Sequence, residues 1–334
     1  MNILVEIHHG LGDIVQMQPM IEKLRETYAN AKISMLVASS EHAMVINGNN
    51  LVDNFYFLNL KHMSKAEFLC LIYKLRKERF DIGIVSPMTN LKKGKVLMHV
   101  IGCRKVFYPI KDSRYYKNNS VMQGLEILNQ IGIETSMKNP RLTITDEIKE
   151  LSKKLLKDFN CEKLVSICVG TGMVSCGKGK HLKTVNAKSI DFNISIEIAE
   201  YLICKGFKVL LLGGKQEKEF FQKGNYKLAK GIISFLGKTS IQESMALISS
   251  SRLVIGGDTG LIHIAGAMNV ETITYYAASG PNVGPFSEQN HIITAGLDCQ
   301  YCYGTDKLFA CEERKCLKYI TSKVIINEIE SILI

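Results

Sequence analysis

Short apolar runs alternate with longer amphipathic stretches along the first half of the chain. The first predicted strand covers residues 2–8, and a glycine-rich turn separates it from a helical pattern over residues 14–28. This alternation is typical of βαβ units around a parallel sheet. We predict strands and helices in the following ranges: strands 2–8, 32–38, 54–58, 81–86 and 104–107, and helices such as 14–28 and 65–78.

A second series of alternating elements follows Pro140. A charged amphipathic helix is predicted over residues 146–159, and a new strand begins at residue 164. The later elements are predicted as strands 164–169, 208–212, 252–255 and 271–276, with helices near 189–205, 240–250 and 261–268. We therefore expect two α/β domains, 1–160 and 161–334. The carboxyl ends of their strands, where such sheets bind ligands, are expected to face a shared cleft.

Composition limits the classes of protein to consider. The chain has 334 residues, 46% of them apolar and 22% charged, as in folded globular proteins. No apolar run approaches the roughly 18 residues of a membrane span. The first ten residues lack the basic region of a secretory signal, so we expect a cytoplasmic protein. The net charge of +10 indicates an anionic partner; nucleic acid is one candidate, and a phosphorylated small molecule or an anionic lipid surface fits at least as well.

The first motif with candidate chemistry is the turn His8-His9-Gly10-Leu11-Gly12-Asp13, between the first strand and the first helix. Glycines allow a ligand to approach the backbone, and a helix N-terminus favours negative charge. The turn is not a dinucleotide fingerprint, because Val15 stands where the third glycine would fall. Asp13 has two interpretations: a helix cap, or an acidic residue that acts on a ligand.

A second motif runs from Gly170 to Lys180, after the first strand of the second half. Its Gly-Lys pair resembles a P-loop, but Gly179 occupies the position where a P-loop needs Ser or Thr. The helical pattern also resumes only near residue 189. Two interpretations stay open: a loop that holds an anionic ligand, or a solvated basic loop.

The third motif, Gly256 to His263, again joins a strand to a helix. Asp258 and Thr259 lie at the predicted helix start, where a hydroxyl and backbone N–H groups can bind phosphate. His263 follows Thr259 by about one helical turn, so both can face one ligand. The alternative is a capped helix with a hydrogen-bonded histidine.

Together these motifs resemble the ADP-heptose:lipopolysaccharide heptosyltransferase family, glycosyltransferase family 9. Gly12-Asp13, with Pro19 six residues later, is similar to the family's G-D-x5-P signature, and residues 258–265 are similar to its D-[ST]-G-x-x-H-x-A motif. Further similarities, in order, are Lys180-His181 in the K-x-W-P segment, Leu212-Gly213-Gly214 with Glu217 in LxGGxxE, and Gly284-Pro285. In the K-x-W-P segment the chain departs from the family, with Leu182 for Trp and Lys183 for Pro.

The resemblance implies a GT-B fold of two Rossmann-like domains, an acceptor-side domain 1–160 and a nucleotide-sugar domain 161–334. It implies an inverting glycosyltransferase that needs no catalytic metal and uses ADP-heptose or a related nucleotide sugar. Asp13 is implied as the general base. The implied acceptor-side loop is His9, Gly10 and Gly12, and the implied donor-binding residues are Thr171, Lys180, Glu217, Asp258, Thr259, Gly260 and His263.

Partners follow from the same resemblance. The acceptor is expected to be a glycan, a lipid-linked molecule or a protein, with peripheral association at the inner face of the cytoplasmic membrane and no nucleic acid. We expect loss of Asp258 or Lys180 to weaken donor binding with little effect on the thermal midpoint. The alternative function is a non-catalytic or epimerase-like nucleotide-sugar-binding protein.

The last motif with candidate chemistry is a cluster of four cysteines. Cys299 and Cys302 form CxxC, Cys311 follows after eight residues and Cys316 after four more. Four thiolates can hold Zn or Fe tetrahedrally. One family branch, which glycosylates autotransporter proteins, carries an iron finger here. Buried thiols in a reducing cell are the alternative, and a metal-bearing nucleic-acid-binding protein would show strongly salt-dependent binding.

Overall fold

The computed structural model describes residues 1–60, 62–109, 119–157, 159, 163–170, 172–177 and 181–333. The chain divides into two compact units, Met1–Thr143 and Ile144–Ile334. Each unit is an α/β domain built on a parallel sheet, as the alternating pattern predicts. Of the helices in the described part of the chain, none has the length and apolar character that crossing a bilayer requires.

The first unit contains five strands and five helices in its described residues. They are β1 Asn2–Ile7, α1 Leu11–Thr27, β2 Lys32–Val37, α2 Ser40–Asn47, β3 Asn54–Phe57, α3 Lys65–Lys77, β4 Ile82–Val85, α4 Leu91–Ile101, β5 Lys105–Phe107 and α5 Ser120–Asn129. The strands are parallel in the order β3-β2-β1-β4-β5. This is the order of a Rossmann-like half, with β1 at the centre.

Local sequence explains individual elements of this unit. Strand β1 is central, so its residues from Ile3 to Ile7 are all buried. Helix α3 begins at a capping box, in which the Ser64 N–H donates to Glu67 at 2.7 Å and the Glu67 N–H donates to the Ser64 hydroxyl at 3.2 Å. Helix α1 begins at Leu11, three residues before the predicted start, which places Asp13 inside its first turn.

The second unit contains a six-stranded parallel sheet. Its elements are α6 Asp146–Leu155, β6 Leu164–Cys168, β7 Met173–Cys176, β8 Lys183–Asn186, α7 Phe192–Cys204, β9 Lys208–Leu212, α8 Lys215–Lys223, β10 Ile232–Ser234, α9 Ile241–Ser249, β11 Leu253–Gly257, α10 Gly260–Ala267, β12 Thr272–Tyr276, β13 Asn290–Thr294, α11 Asp306–Ala310, α12 Lys315–Tyr319 and α13 Ser322–Leu333. The strand order is β10-β9-β6-β11-β12-β13, again Rossmann-like. Strands β7 and β8 form a separate antiparallel hairpin, which the sequence did not predict.

The boundary between the units differs from the predicted position at residue 160. Helix α6 belongs to the second unit, because it packs on α9 and the Ser152 hydroxyl forms a hydrogen bond with Ser250. Its amphipathic pattern predicts a helix but carries no information about which sheet the apolar face covers. The division therefore falls before α6, at Thr143–Ile144.

Candidate active site

The first glycine turn joins the central strand β1 to helix α1. Asp13 is the third residue of α1, and its Oδ2 accepts a hydrogen bond of 2.8 Å from the Gly10 N–H. The carboxylate therefore caps the helix start, as one of the two interpretations of Asp13 requires. Asp13 is only partly buried. Capping and a role toward a ligand are compatible, since a carboxylate has two oxygens.

A polar cluster surrounds this turn at the end of β1. Glu6 is fully buried and contacts the His8 ring through Oε1. The Thr89 hydroxyl lies 2.9 and 2.8 Å from the two Glu6 oxygens and 2.8 Å from His9 Nε2. The His8 and His9 rings stack at a centroid distance of 4.8 Å. Sequence reasoning identified His9 but missed Glu6 and Thr89, although an acidic residue in an apolar strand was a visible signal.

Two histidines near the turn, His9 and His42, have lowered pKa values. Burial lowers the pKa of His9, and His8 lowers it further, while Glu6 and Asp13 act in the opposite direction without reversing the shift. Burial also lowers the pKa of His42, whose Nδ1 lies 2.8 Å from the Ser39 hydroxyl. Both imidazoles are therefore neutral near pH 7.

The second cluster lies at the carboxyl end of β11, where the sequence predicted donor-binding residues. Asp258 is buried, and its Oδ2 lies 2.6 Å from the Lys188 ammonium. Its Oδ1 lies 2.9 Å from His263 Nε2, a contact that the sequence analysis did not predict. Lys188 also lies over the Tyr303 ring at 4.2 Å. Sequence reasoning missed Lys188, because no local motif distinguishes it from other lysines in basic loops.

The charge on Asp258 is fixed by these partners. Burial alone raises the pKa of a carboxyl group. The Lys188 ammonium and the hydrogen bond with His263 outweigh burial and hold the pKa of Asp258 well below its usual range. Asp258 is thus an anion in the folded protein, and it orients both Lys188 and His263. From the sequence, loss of Asp258 is expected to leave the thermal midpoint nearly unchanged; because the structure shows a buried anion with two partners, we now expect the midpoint to fall.

Two buried hydroxyls lie next to this cluster without hydrogen-bond partners in the described structure. They belong to Thr259, which directly precedes α10, and to Ser189. Both side chains approach Gly170: a Cβ there would lie 2.4 Å from Thr259 Cγ2 and 3.7 Å from Ser189 Oγ. Buried hydroxyls normally have a partner. At the start of α10, whose first residue is Gly260, they are placed to donate to an anionic oxygen.

Backbone hydrogen bonds hold the segment that carries Lys188 and Ser189. The Ala187 N–H donates to the Gly172 carbonyl at 3.0 Å, and the Ala278 N–H donates to the Ala187 carbonyl at 3.0 Å. Asn186 adds a side-chain contact, because its Oδ1 accepts from the Ser189 N–H at 3.1 Å. The segment is thereby fixed between the loop after β6 and the end of β12.

Glu217 lies at the carboxyl end of β9, in the first turn of α8. Its Oε2 accepts a hydrogen bond of 2.8 Å from the Gly214 N–H, the same capping geometry that Asp13 has with Gly10. Two predicted donor-binding residues, Thr171 and Lys180, lie outside the described residues, so their predicted roles stay predictions.

The four cysteines are free thiols near the carboxyl end of the second unit. Burial raises the pKa of Cys302 and Cys316, and neighbouring thiols of the cluster add to both shifts. Within the described residues, the potential ligand atoms that gather within 4.8 Å of one another are those of Glu6, His8 and His9. The cysteine sulfurs are not among them, so this arrangement does not form a ready tetrahedral thiolate site.

Comparison with known proteins decides the family. Residues 191–312 match the model of glycosyltransferase family 9 (heptosyltransferase). Lipooligosaccharide heptosyltransferase 2 of Haemophilus influenzae is 32% identical over 315 residues, which cover 85% of this chain and 86% of that protein. The chain belongs to glycosyltransferase family 9. The resemblance drawn from the motifs is confirmed, and the protein is a glycosyltransferase.

Solved structures support the fold of this family 9 glycosyltransferase. A family 9 glycosyltransferase from Veillonella parvula superposes with a TM-score of 0.83 at 18% identity, covering 99% of this chain and 97% of that chain. ADP-heptose LPS heptosyltransferase II of Escherichia coli gives a TM-score of 0.77 at 18% identity, covering 100% and 98%. The predicted GT-B fold class, with two Rossmann-like domains, is confirmed.

Proposed function

We propose that this family 9 glycosyltransferase transfers a heptose from ADP-heptose to a hydroxyl of a lipopolysaccharide or lipooligosaccharide core. The relatives' names support this choice of donor and acceptor. The structural observation that carries the proposal is the cluster at Asp258. The Lys188 ammonium pairs with Asp258 there, and two neighbouring buried hydroxyls have no hydrogen-bond partner within the described residues. Such a cluster suits a diphosphate at the start of α10.

The donor is proposed to bind to the second unit. The hydroxyls of Thr259 and Ser189 and the N–H groups at the start of α10 donate to the diphosphate, and Lys188 supplies positive charge beside it. Lys180 is proposed as a second cation on the diphosphate. Glu217, at the end of β9, is proposed for the ribose hydroxyls. Positive charge from lysines and a helix N-terminus stabilises the leaving group, so the proposed reaction needs no catalytic metal.

Asp13 is proposed as the general base. In the inverting step the acceptor hydroxyl loses its proton to Asp13, and its oxygen forms the new bond to the anomeric carbon. The bond from that carbon to the diphosphate breaks, and ADP leaves with the electron pair. Asp13 keeps a fixed position because Gly10 donates to its Oδ2. The side chain is partly exposed, so an acceptor hydroxyl can approach the carboxylate.

The net charge of the chain supports a proposal for the acceptor and for the cellular location. A net charge of +10 favours an acceptor with phosphate or carboxylate groups, and it favours an anionic membrane surface. We propose that the protein works in the cytoplasm, at the inner face of the membrane. A protein acceptor is the alternative, and product analysis with a glycan and a peptide acceptor distinguishes the two.

Substitution of the base tests the mechanism. Asp13→Asn keeps the acceptor oxygen for the Gly10 N–H, so α1 should stay capped, but it removes the base. We expect single-turnover transfer from ADP-heptose to fall by about 10²–10⁴-fold, while donor affinity changes by less than about threefold. Glu41→Gln, which removes an exposed carboxylate of the same unit, is the matched control and should transfer at the wild-type rate.

Two outcomes would contradict this mechanism. Rapid single-turnover transfer by Asp13→Asn would remove Asp13 from the chemistry, and lost donor binding would make it a structural or donor-site residue. Mass spectrometry of reactions with a panel of nucleotide sugars tests the donor. Turnover of another nucleotide sugar in preference to ADP-heptose would overturn the donor assignment.

A further inference from the structure

The cluster of Glu6, His8 and His9 has the composition of a metal site. Its three potential ligand atoms lie within 4.8 Å of one another. In a tetrahedral zinc site with bonds of about 2.0–2.2 Å, neighbouring ligand atoms lie about 3.3 Å apart, so small side-chain movements bring the three to that spacing. Two imidazoles and a carboxylate are a ligand set that first-row transition metals take, with a further position left for water.

Electrostatics favour a cation at Glu6. This carboxylate has no exposed surface, and its ion pair within the described residues is with the His8 ring. Buried carboxylates are usually paired with a full cation or bound to a metal, because removing their charge from water is costly. Thr89 supplies a hydrogen bond to Glu6 but no charge. A divalent ion would neutralise the Glu6 carboxylate, whose ion-pair partner among the described residues is the His8 imidazole.

Hydrogen bonds also fix the rings. The Thr89 hydroxyl has one proton, and Glu6 can only accept it, so Thr89 donates to Glu6 and accepts from the His9 Nε2–H. Ligand histidines in metal sites are oriented in this way, by a hydrogen bond from the ring nitrogen that does not bind the metal.

The position in the fold is the third observation. Glu6 lies in β1, and Thr89 lies in the loop that follows β4, the parallel neighbour of β1. The cluster thus lies at the carboxyl edge of the first sheet, where α/β domains bind ligands. We propose that Glu6, His8 and His9 bind one divalent transition-metal ion of the zinc and cobalt class. The site is additional to the proposed transfer reaction, which uses no metal.

Titration with Co²⁺ tests the site on the full-length reduced protein. Cobalt bound by imidazole and carboxylate gives visible d–d absorption without the thiolate-to-metal charge-transfer band that cysteine ligands produce. We expect one equivalent to bind and Zn²⁺ to displace it. His8→Gln and His9→Gln should each weaken Co²⁺ affinity by at least about 100-fold, since even outer residues of metal sites contribute 10–100-fold.

His99→Gln is the matched control, because it removes a histidine of the same unit that bonds only to the Lys95 carbonyl. It should bind Co²⁺ as the wild type does. His8→Gln keeps an N–H donor for Glu6, and the thermal midpoint of each variant establishes that it is folded. Unchanged Co²⁺ affinity in folded His8→Gln and His9→Gln would overturn the proposal. So would a spectrum in which all bound metal shows thiolate charge transfer. Neither result would affect the test of Asp13.

Discussion

Removal of the Asp258 carboxylate should destabilise the second unit. The Asp258 side chain is 7% exposed and that of Lys188 is 21% exposed, with 2.6 Å between the charged atoms. Asp258→Ala leaves Lys188 without its anion and His263 without its 2.9 Å partner. Breaking a buried pair in this way costs about 3–5 kcal/mol, and the remaining exposure of Lys188 favours the lower end.

A loss of about 3 kcal/mol has a measurable thermal signature. For a unit of the size of residues 144–334 it lowers the Tm by about 6–12 °C. Scanning calorimetry of wild type, Asp258→Ala, Lys188→Met and the double variant completes a mutant cycle. We expect the double variant to lose about 1–3 kcal/mol less unfolding free energy than the two single variants lose together, because it leaves no unpaired charge.

The control for this cycle is an ion pair of similar length on the surface of the same unit. Lys153 lies 2.6 Å from Glu150, with side-chain exposures of 73% and 70%. Lys153→Met should change the free energy of unfolding by less than about 1 kcal/mol. The argument from burial would be refuted if Asp258→Ala changed the free energy of unfolding as little as Lys153→Met does. It would also be refuted if the effects of Asp258→Ala and Lys188→Met on that free energy were additive within about 0.5 kcal/mol.

Three further predictions concern the donor cluster and the cysteines. The folded pKa of Asp258 lies below the value of about 3.9 in unfolded chains, so its contribution to stability is present above about pH 4 and is lost as the pH falls toward the folded pKa. Below pH 4 the free energy of unfolding, measured by chemical denaturation, should therefore change less steeply with pH in Asp258→Asn than in wild type, by up to about 1.4 kcal/mol per pH unit. Equal slopes in the two proteins would contradict this. Lys180→Ala should weaken ADP binding by about 10- to 150-fold in calorimetric titration without a change in Tm, and unchanged ADP binding would place the diphosphate elsewhere. If the cysteine cluster holds Zn or Fe, elemental analysis of protein purified without chelator should find about one equivalent less metal in Cys299→Ser/Cys302→Ser than in wild type. Equal metal content in the two proteins, or less than about 0.2 equivalents in wild type, would rule out a structural metal at the cysteines.

Most of the helices and strands, and the family, could be predicted from the order of the residues. Strands such as β9 and β11 are mainly apolar runs that end at or directly before a glycine, and the following helices are periodic, so their positions depend on neighbouring residues along the chain. The sequence also placed Asp258 and His263 near the start of one helix, whereas the hydrogen bond between them emerged only in the structure. Those local patterns were sufficient to indicate a family 9 glycosyltransferase.

The residues that complete each site from distant parts of the chain could not be predicted in this way. Glu6 contacts Thr89 because β1 pairs with β4, and this pairing cannot be predicted from the local sequence of either strand. Lys188 reaches Asp258 because β6 lies beside β11 and the segment after the β7–β8 hairpin is held over the end of that sheet. Strand order depends on the packing of all the helices and strands together, so a partner supplied by a non-adjacent strand gives no local signal. The boundary before α6 has the same origin, since an amphipathic helix requires an apolar surface without specifying which one.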